Sequence, residues 1–149
     1  MPFVRLPAQY MGSGPYMFDI GLEIYALFKR HLFKSYSSEL DSLDTVLRVD
    51  AENPSLAQWH ESGLKRLRLS RKYRYVTVDV CFQNFEYVGV SREDMRKLML
   101  ERIWEGIELC VARIKKDKVD FKDEEFRVDL LAARFEIEAK WCLGQPGSP

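Results

Sequence analysis

The clearest hydrophobic pattern in the chain is the strict alternation of side chains along Tyr73–Phe82. Its apolar face consists of Val76, Val78, Val80 and Phe82. Alternation at every second residue, in a segment rich in β-branched and aromatic side chains, predicts a β-strand with one face in the core. The preceding segment, Leu64–Leu69, alternates in the same way. We therefore predict a β-hairpin in which Ser70, Arg71 and Lys72 form the turn.

Three segments carry apolar residues at the spacing of an amphipathic helix, near residues 19–36, 92–117 and 123–141. The first also alternates like a strand over residues 18–24, but the length of its apolar run favours a helix. The second has the longest stripe: Met95, Leu98, Met99, Ile103, Ile107, Cys110 and Ile114. Ser91 is placed to cap the amino terminus of this helix, because its hydroxyl can accept a hydrogen bond from a first-turn amide.

Two shorter strand candidates are Thr45–Val49 and, near the amino terminus, Phe3–Leu6. With the hairpin and the helices they predict an α+β fold: a small, mainly antiparallel β-sheet with about three α-helices packed on one face. No internal linker separates domains, so residues 1–143 are expected to form a single domain. Residues 144–149, rich in glycine and proline, are expected to form a flexible tail.

Composition is that of an ordinary globular protein, with 149 residues, 46% hydrophobic and 31% charged. A chain of this length buries enough surface to fold without disulfides or metals. The three cysteines, Cys81, Cys110 and Cys142, include no CxxC pair, which indicates buried thiols in a reducing cytosol. No secretory signal or membrane-length apolar segment is present, so we expect a cytoplasmic location.

The sequence contains no recognisable catalytic or phosphate-binding motif. His31 falls on the apolar stripe of the first helix, which favours a hydrogen-bonded core histidine. His60 lies beside Trp59 and Glu61 in a loop segment, where acid–base chemistry is conceivable but a solvated side chain fits better. No second histidine is near enough in sequence to suggest a metal site. We therefore expect no enzyme activity, cofactor or metal.

Charge is locally concentrated although the chain balances 23 basic against 23 acidic residues. The hairpin carries Arg66, Arg68, Arg71, Lys72 and Arg74. Interleaved with tyrosines, they could contact nucleic-acid phosphates, but a dedicated nucleic-acid binder is usually basic overall. A solvated strand face is the simpler interpretation. On the long helix Glu101, Glu105 and Glu108 share one face, which forms an acidic ridge able to meet a cationic partner.

In their order and residue patterns, the segments resemble bacterial immunity proteins of polymorphic-toxin and contact-dependent growth inhibition systems. The likeness is carried by the hairpin "RLRLSRKYRY", the strand "VTVDVCF", the loop "NFEYVGVSRED" and the helix "MRKLMLERIWEGIELCVARIKK". It covers about Thr45–Trp141, and the amino-terminal third only loosely. The chain departs from the family pattern in its long loop Asp50–Gly63 and its entry Gly12–Pro15.

The resemblance implies a non-catalytic inhibitor that binds a cognate toxin domain and occludes its active site. Aromatic and arginine side chains usually anchor such interfaces, and charges select the partner. Candidate toxin contacts are Trp59, His60, Arg66, Arg68, Arg71, Lys72, Arg74, Glu101, Glu105 and Glu108. Two alternatives stay open: a nucleic-acid-binding accessory domain that uses the hairpin, and an enzyme that uses His60 and Glu61. Exposed strand edges would also allow a homodimer.

Overall fold

The computed structural model describes residues 3–6, 16–49, 65–82 and 89–142. Within these ranges the chain forms three helices and one four-stranded sheet. The elements in chain order are β1 (Val4–Arg5), α1 (Met17–His31), β2 (Ser42–Val49), β3 (Lys65–Ser70), β4 (Tyr75–Phe82), α2 (Arg92–Lys116) and α3 (Asp123–Lys140). The predicted α+β class is confirmed.

The sheet has the strand order β1-β2-β4-β3. As predicted, β3 and β4 form an antiparallel hairpin, but β2 pairs with β4 in parallel and β1 pairs with β2 in parallel. The sheet is therefore mixed, and the prediction of a mainly antiparallel sheet was wrong. The reason is that β4 is an interior strand: β3 bonds one of its edges, and β2 satisfies the backbone groups of the other. Side-chain alternation identified β2 as a strand but did not specify its direction, and β2 runs parallel to β4.

The hairpin turn spans residues 71–74, so it begins one residue and ends two residues later than predicted. Arg74 adopts a left-handed backbone conformation with φ 59°, which an extended strand cannot contain. Its amide donates to the Arg71 carbonyl at 3.3 Å and closes the turn. Strand β4 consequently begins at Tyr75, and Tyr73 lies outside it.

Helix α2 covers one face of the sheet, and Gly106 marks the closest approach. A Cβ atom placed on Gly106 would lie 3.0 Å from Val80 Cγ2 and 3.1 Å from Val78 Cγ1. The missing side chain thus lets the helix settle onto the valine face of β4. The predicted Ser91 cap is also confirmed, because its Oγ accepts from the Asp94 amide at 3.2 Å. The predicted apolar stripe is buried, except that Leu98 is only half-buried.

An aromatic cluster joins β1, the segment after α1, and α3. Tyr36 is fully buried there, with its ring 5.4 Å from Phe3 and 5.3 Å from Phe126. Its hydroxyl donates to Asp129 Oδ2 at 2.6 Å. Helix α1 was predicted to reach Tyr36 but ends at His31, because the chain must leave the helix to place this ring in the cluster.

Polar contacts fasten α1 to α2 and α3. Trp141 Nε1 donates to Glu23 Oε2 at 2.6 Å, and Arg96 pairs with the same carboxylate at 3.3 Å. The predicted hydrogen bond of His31 is present and joins it to Glu136, but the side chain is half-buried and not part of the core, as the prediction had it.

Two of the cysteines can be placed with their side chains. Cys110 is buried, as predicted, whereas Cys142 is exposed, so the prediction of buried thiols was wrong for Cys142. The reason is that α3 ends at Lys140, and the left-handed turn at Cys142 (φ 57°) carries its side chain away from the core. The Cys81 side chain falls outside the described residues. Among the described helices, none is both long and apolar enough to cross a membrane.

Candidate functional site

The face of the sheet that points away from α2 combines charged, hydroxyl and aromatic side chains. Paired residues on neighbouring strands project to the same side of a sheet, so the strand register defines rows across this face. One row consists, strand by strand, of Arg5, Asp44, Thr77 and Arg68. The adjacent row brings Ser42, Tyr75 and Ser70 together. We call this side of the sheet the groove face.

Helix α1 flanks the groove face and encloses a cavity of about 630 Å³ with it. The cavity is lined by Arg5, Leu6, Phe18, Gly21, Leu22, Tyr25, Asp44, Val46, Tyr75 and Thr77. A second cavity of about 630 Å³ lies next to it and shares Arg5, Asp44 and Tyr75 with the first. Because three residues are common to both, the cavities form one groove with Asp44 in its middle.

Large apolar side chains stand exposed along this groove. Phe18 is 53% and Leu22 49% exposed at the first cavity, while Phe33 is 65% and Tyr73 62% exposed at the second. The Tyr73 ring stacks on Tyr75 with 6.1 Å between centroids. Apolar side chains gathered at a concave surface, rather than scattered singly, are typical of interaction sites.

Asp44 is the charged group whose environment is most unusual in the groove. Burial raises the pKa of its carboxyl above the ordinary value, and the Ser42 hydrogen bond and the Arg5 charge only partly oppose this effect. Asp44 Oδ1 is buried without a hydrogen-bond partner within the described ranges. An ionised oxygen in that position is costly unless a donor reaches it.

The basic hairpin residues proposed from the sequence do not act as one free cluster. Arg71 donates to the Asp117 carbonyl at 2.9 Å, and Arg74 donates to the Ser38 carbonyl at 2.9 Å and pairs with Asp41. Such contacts hold the turn against the rest of the fold, so these guanidinium groups already have partners.

Among the other sequence candidates on the hairpin and the neighbouring loop, the side chains of Lys72 and Arg68 lie within the described residues. Lys72 lies over the Tyr73 ring at 5.3 Å, and Arg68 is exposed on the groove face. Arg66 pairs in register with Asp79, but its side chain is outside the described part, as are Trp59 and His60 entirely. Their role in binding a partner stays a prediction.

The acidic ridge on α2 is partly neutralised by neighbouring arginines. Glu105 lies 3.7 Å from Arg102, and Glu108 Oε2 accepts a hydrogen bond from Arg127 Nη2 at 3.2 Å. Glu101 is exposed. The three carboxylates share a helix face as predicted, but their use by a partner is untested.

A second exposed surface, the helix patch, lies where α2 meets α3. It consists of Trp104, Val128, Leu131 and Phe135, and Phe135 is 76% exposed. Arg134 lies 4.4 Å above the Trp104 ring and donates to Glu138 at 2.6 Å. The sequence signal for this patch is the spacing of three and four between the α3 residues, on the side opposite to the buried stripe.

Neither surface has the arrangement of a metal centre or a reactive thiol. Within the described residues, no group of three or more His, Cys, Asp or Glu side chains is placed to hold a metal ion. Burial raises the pKa of the Cys110 thiol well above its ordinary range, which keeps it in the unreactive neutral form.

Comparison with known protein families decides the class of this protein. The family model described as Immunity protein 44 matches residues 20–134. The chain belongs to this family. The match extends from α1 into α3 and confirms the resemblance to bacterial toxin immunity proteins. No curated protein and no solved structure is significantly similar to the chain. Membership of the immunity family implies that the partner is a toxin.

Proposed function

We propose that the protein acts in the cytoplasm as a non-catalytic antidote that binds its cognate toxin domain and covers the toxin's active site. The immunity family supports the class of partner. The observation that carries the binding role is the groove between α1 and the sheet, with exposed Phe18 and Leu22 at one end and exposed Phe33 and Tyr73 at the other. An apolar centre with charged groups around it is the usual anatomy of a protein interface.

We favour the groove over the helix patch as the toxin-docking surface. The groove offers two concave sites, each able to receive a side chain, and concave pockets that exclude water are where binding energy concentrates. Its charged row of Arg5, Asp44 and Arg68 also provides a basis for selecting one toxin among many. The helix patch is shallower, with a cavity of about 440 Å³, and its charged rim is paired within the molecule.

Co-expression with the toxin encoded by the neighbouring gene tests the function. We expect the immunity protein to restore growth and to co-elute with the toxin domain on a sizing column. Purified complex should lack toxin activity and should fail to bind a substrate analogue of the toxin. An active toxin within an intact complex would contradict occlusion, and absence of both rescue and complex would contradict the function.

Matched substitutions test the surface. Phe18→Asp and Tyr73→Asp place a charge at either end of the groove, whereas Phe135→Asp places the same charge on the helix patch. All three side chains are exposed, so the fold should survive each change. We expect the two groove variants to lose protection and the Phe135 variant to keep it. If the Phe135 variant loses protection and the two groove variants keep it, the docking surface is the helix patch on α2 and α3.

A further inference from the structure

We propose that the cavity beside Asp44 receives a positively charged side chain of the toxin, arginine or lysine, as an anchor of the complex. The inference rests on the proposed function and adds to it the chemistry of the group that is recognised. It is carried by the half-buried Asp44 carboxylate, whose buried Oδ1 has no donor among the described residues, in a cavity whose other walls are largely apolar and aromatic.

The carboxylate is incompletely satisfied in the free protein. The Ser42 side chain donates one hydrogen bond to Asp44, but Oδ1 has no donor among the residues described. Asp44 lies on β2, between β1 and β4, so its carboxylate projects from the interior of the sheet into the groove. A donor brought by a partner would satisfy the oxygen, and a charged donor would do so most strongly.

The cavity walls suit the rest of an arginine or lysine side chain. Tyr25 and Tyr75 are half-buried in the lining, and Phe18 stands at its edge. Aromatic faces attract cations, and the methylene stem of a basic side chain packs well on apolar surface. A volume of about 630 Å³ leaves ample room for one such side chain.

Arg5 belongs to the same row and must be considered as a competing cation. Its charge lowers the pKa of Asp44, but burial has the larger, opposite effect, so Arg5 does not compensate the carboxylate fully. Arg5 is also exposed, which allows its long side chain to move aside when another cation enters. An acidic side chain of the toxin would be repelled by the Asp44 carboxylate, so the cavity disfavours an acidic anchor.

A small-molecule titration tests the recognition chemistry without the toxin. The probe is N-acetyl-arginine methylamide, and its neutral analogue, N-acetyl-citrulline methylamide, is the control. We expect the arginine probe, at millimolar concentration, to shift the NMR signals of the Thr77 amide and the Asp44 carboxyl carbon and to lower the pKa of Asp44. The citrulline probe and the Asp44→Asn variant should show no such shifts. Equal shifts with both probes, or none at the cavity, would overturn the inference.

Toxin binding supplies the second test. Asp44→Asn should weaken the complex by about tenfold or more, because it removes the counter-charge of a buried anchor. Glu124→Gln removes the same charge from an exposed side chain in the first turn of α3, outside the groove, and should leave the affinity nearly unchanged. The loss caused by Asp44→Asn should disappear when the matching basic residue of the toxin is replaced by glutamine.

The stability of the free protein separates a binding role from a structural one. Burial raises the pKa of Asp44, so its ionised form is disfavoured in the folded state, and Asp44→Asn should raise the melting temperature at neutral pH. A variant that is more stable yet binds the toxin less tightly supports the inference, whereas a less stable one contradicts it.

If the wild type binds no toxin, the proposed function fails, while the arginine titration still decides what the cavity recognises. If the arginine probe binds but Asp44→Asn leaves toxin affinity unchanged, the inference fails and the proposed function stands.

Discussion

Replacing Gly106 with alanine should change the stability of the protein through two effects of opposite sign. The structure indicates which effect is larger. Alanine in the middle of a helix is more favourable than glycine by about 0.8–1.0 kcal/mol. Gly106 faces the sheet, however, and an added Cβ would lie 3.0 Å and 3.1 Å from methyl carbons of Val80 and Val78. Both contacts are tighter than a carbon–carbon van der Waals contact, which is about 3.5–4.0 Å.

The strain from this contact should exceed the gain in helix propensity. Forcing an extra methyl group into a well-packed core typically costs about 1–3 kcal/mol. The two valines that it would meet are fully buried on the central strand, so neither can swing into open space. The net expectation is a loss of about 0–2 kcal/mol in the free energy of unfolding, obtained by subtracting the propensity gain from the packing cost.

Urea denaturation followed by circular dichroism measures this difference. Ala112→Gly is the matched control, because Ala112 is exposed on the same helix and reports helix propensity without a packing change. The double variant Gly106→Ala, Val80→Ala should show a favourable coupling energy, since the smaller side chain makes room for the new methyl group. If Gly106→Ala stabilises the protein by as much as Ala112→Gly destabilises it, the close helix–sheet contact is refuted.

Three further expectations concern stability, pH and thiol reactivity. Thr45 Oγ1 is buried without a partner in the described part of the chain, so Thr45→Val should stabilise the fold by about 1 kcal/mol in the same urea assay; a loss of stability would contradict this. The His31 hydrogen bond lowers the pKa of Glu136 below its ordinary value of 4.5, so this stabilisation is complete above that pH and is lost as the pH falls through the folded-state pKa. Glu136→Gln should flatten the acid side of the melting-temperature profile, and an unchanged profile would argue against the ion pair. Native labelling with a maleimide should modify exposed Cys142 rapidly and buried Cys110 only after unfolding, as mass spectrometry can establish.

Local periodicity was sufficient to predict the helices and the hairpin, because each depends on residues close in sequence. It was insufficient for the pairing of β2 with β4, since alternation identifies a strand and its faces but not its neighbour or direction. The pairing joins segments more than 30 residues apart in sequence, so it is a tertiary property that local patterns do not specify. The early end of α1 was missed for a similar reason: Tyr36 continues the apolar run but packs in the aromatic cluster.

The groove could not be read from the sequence because its residues come from four separate elements. Arg5, Tyr25, Asp44 and Thr77 are each unremarkable in their own segments, and no spacing rule connects them. The basic hairpin attracted attention because its charges are consecutive, yet Arg71 and Arg74 are bonded within the fold. Proximity in sequence therefore gave no sign of these partners or of the pocket, and toxin binding by the hairpin stays a prediction.

The two faces of the interior strand β4 together explain how a small sheet can hold the proposed docking surface in a defined geometry. On one face, the absence of a side chain at Gly106 brings α2 into contact with Val78 and Val80 and leaves these valines little room to move. Thr77 alternates with them on the groove face, opposite Asp44, so packing behind the strand also positions the groove residues. A surface ordered before its partner arrives loses less entropy on binding than one formed by mobile loops. Substitutions on the face of β4 that packs against α2 should therefore weaken toxin binding only to the extent that they displace β4. Substitutions of Asp44 and of the exposed aromatic residues of the groove should lower the affinity directly.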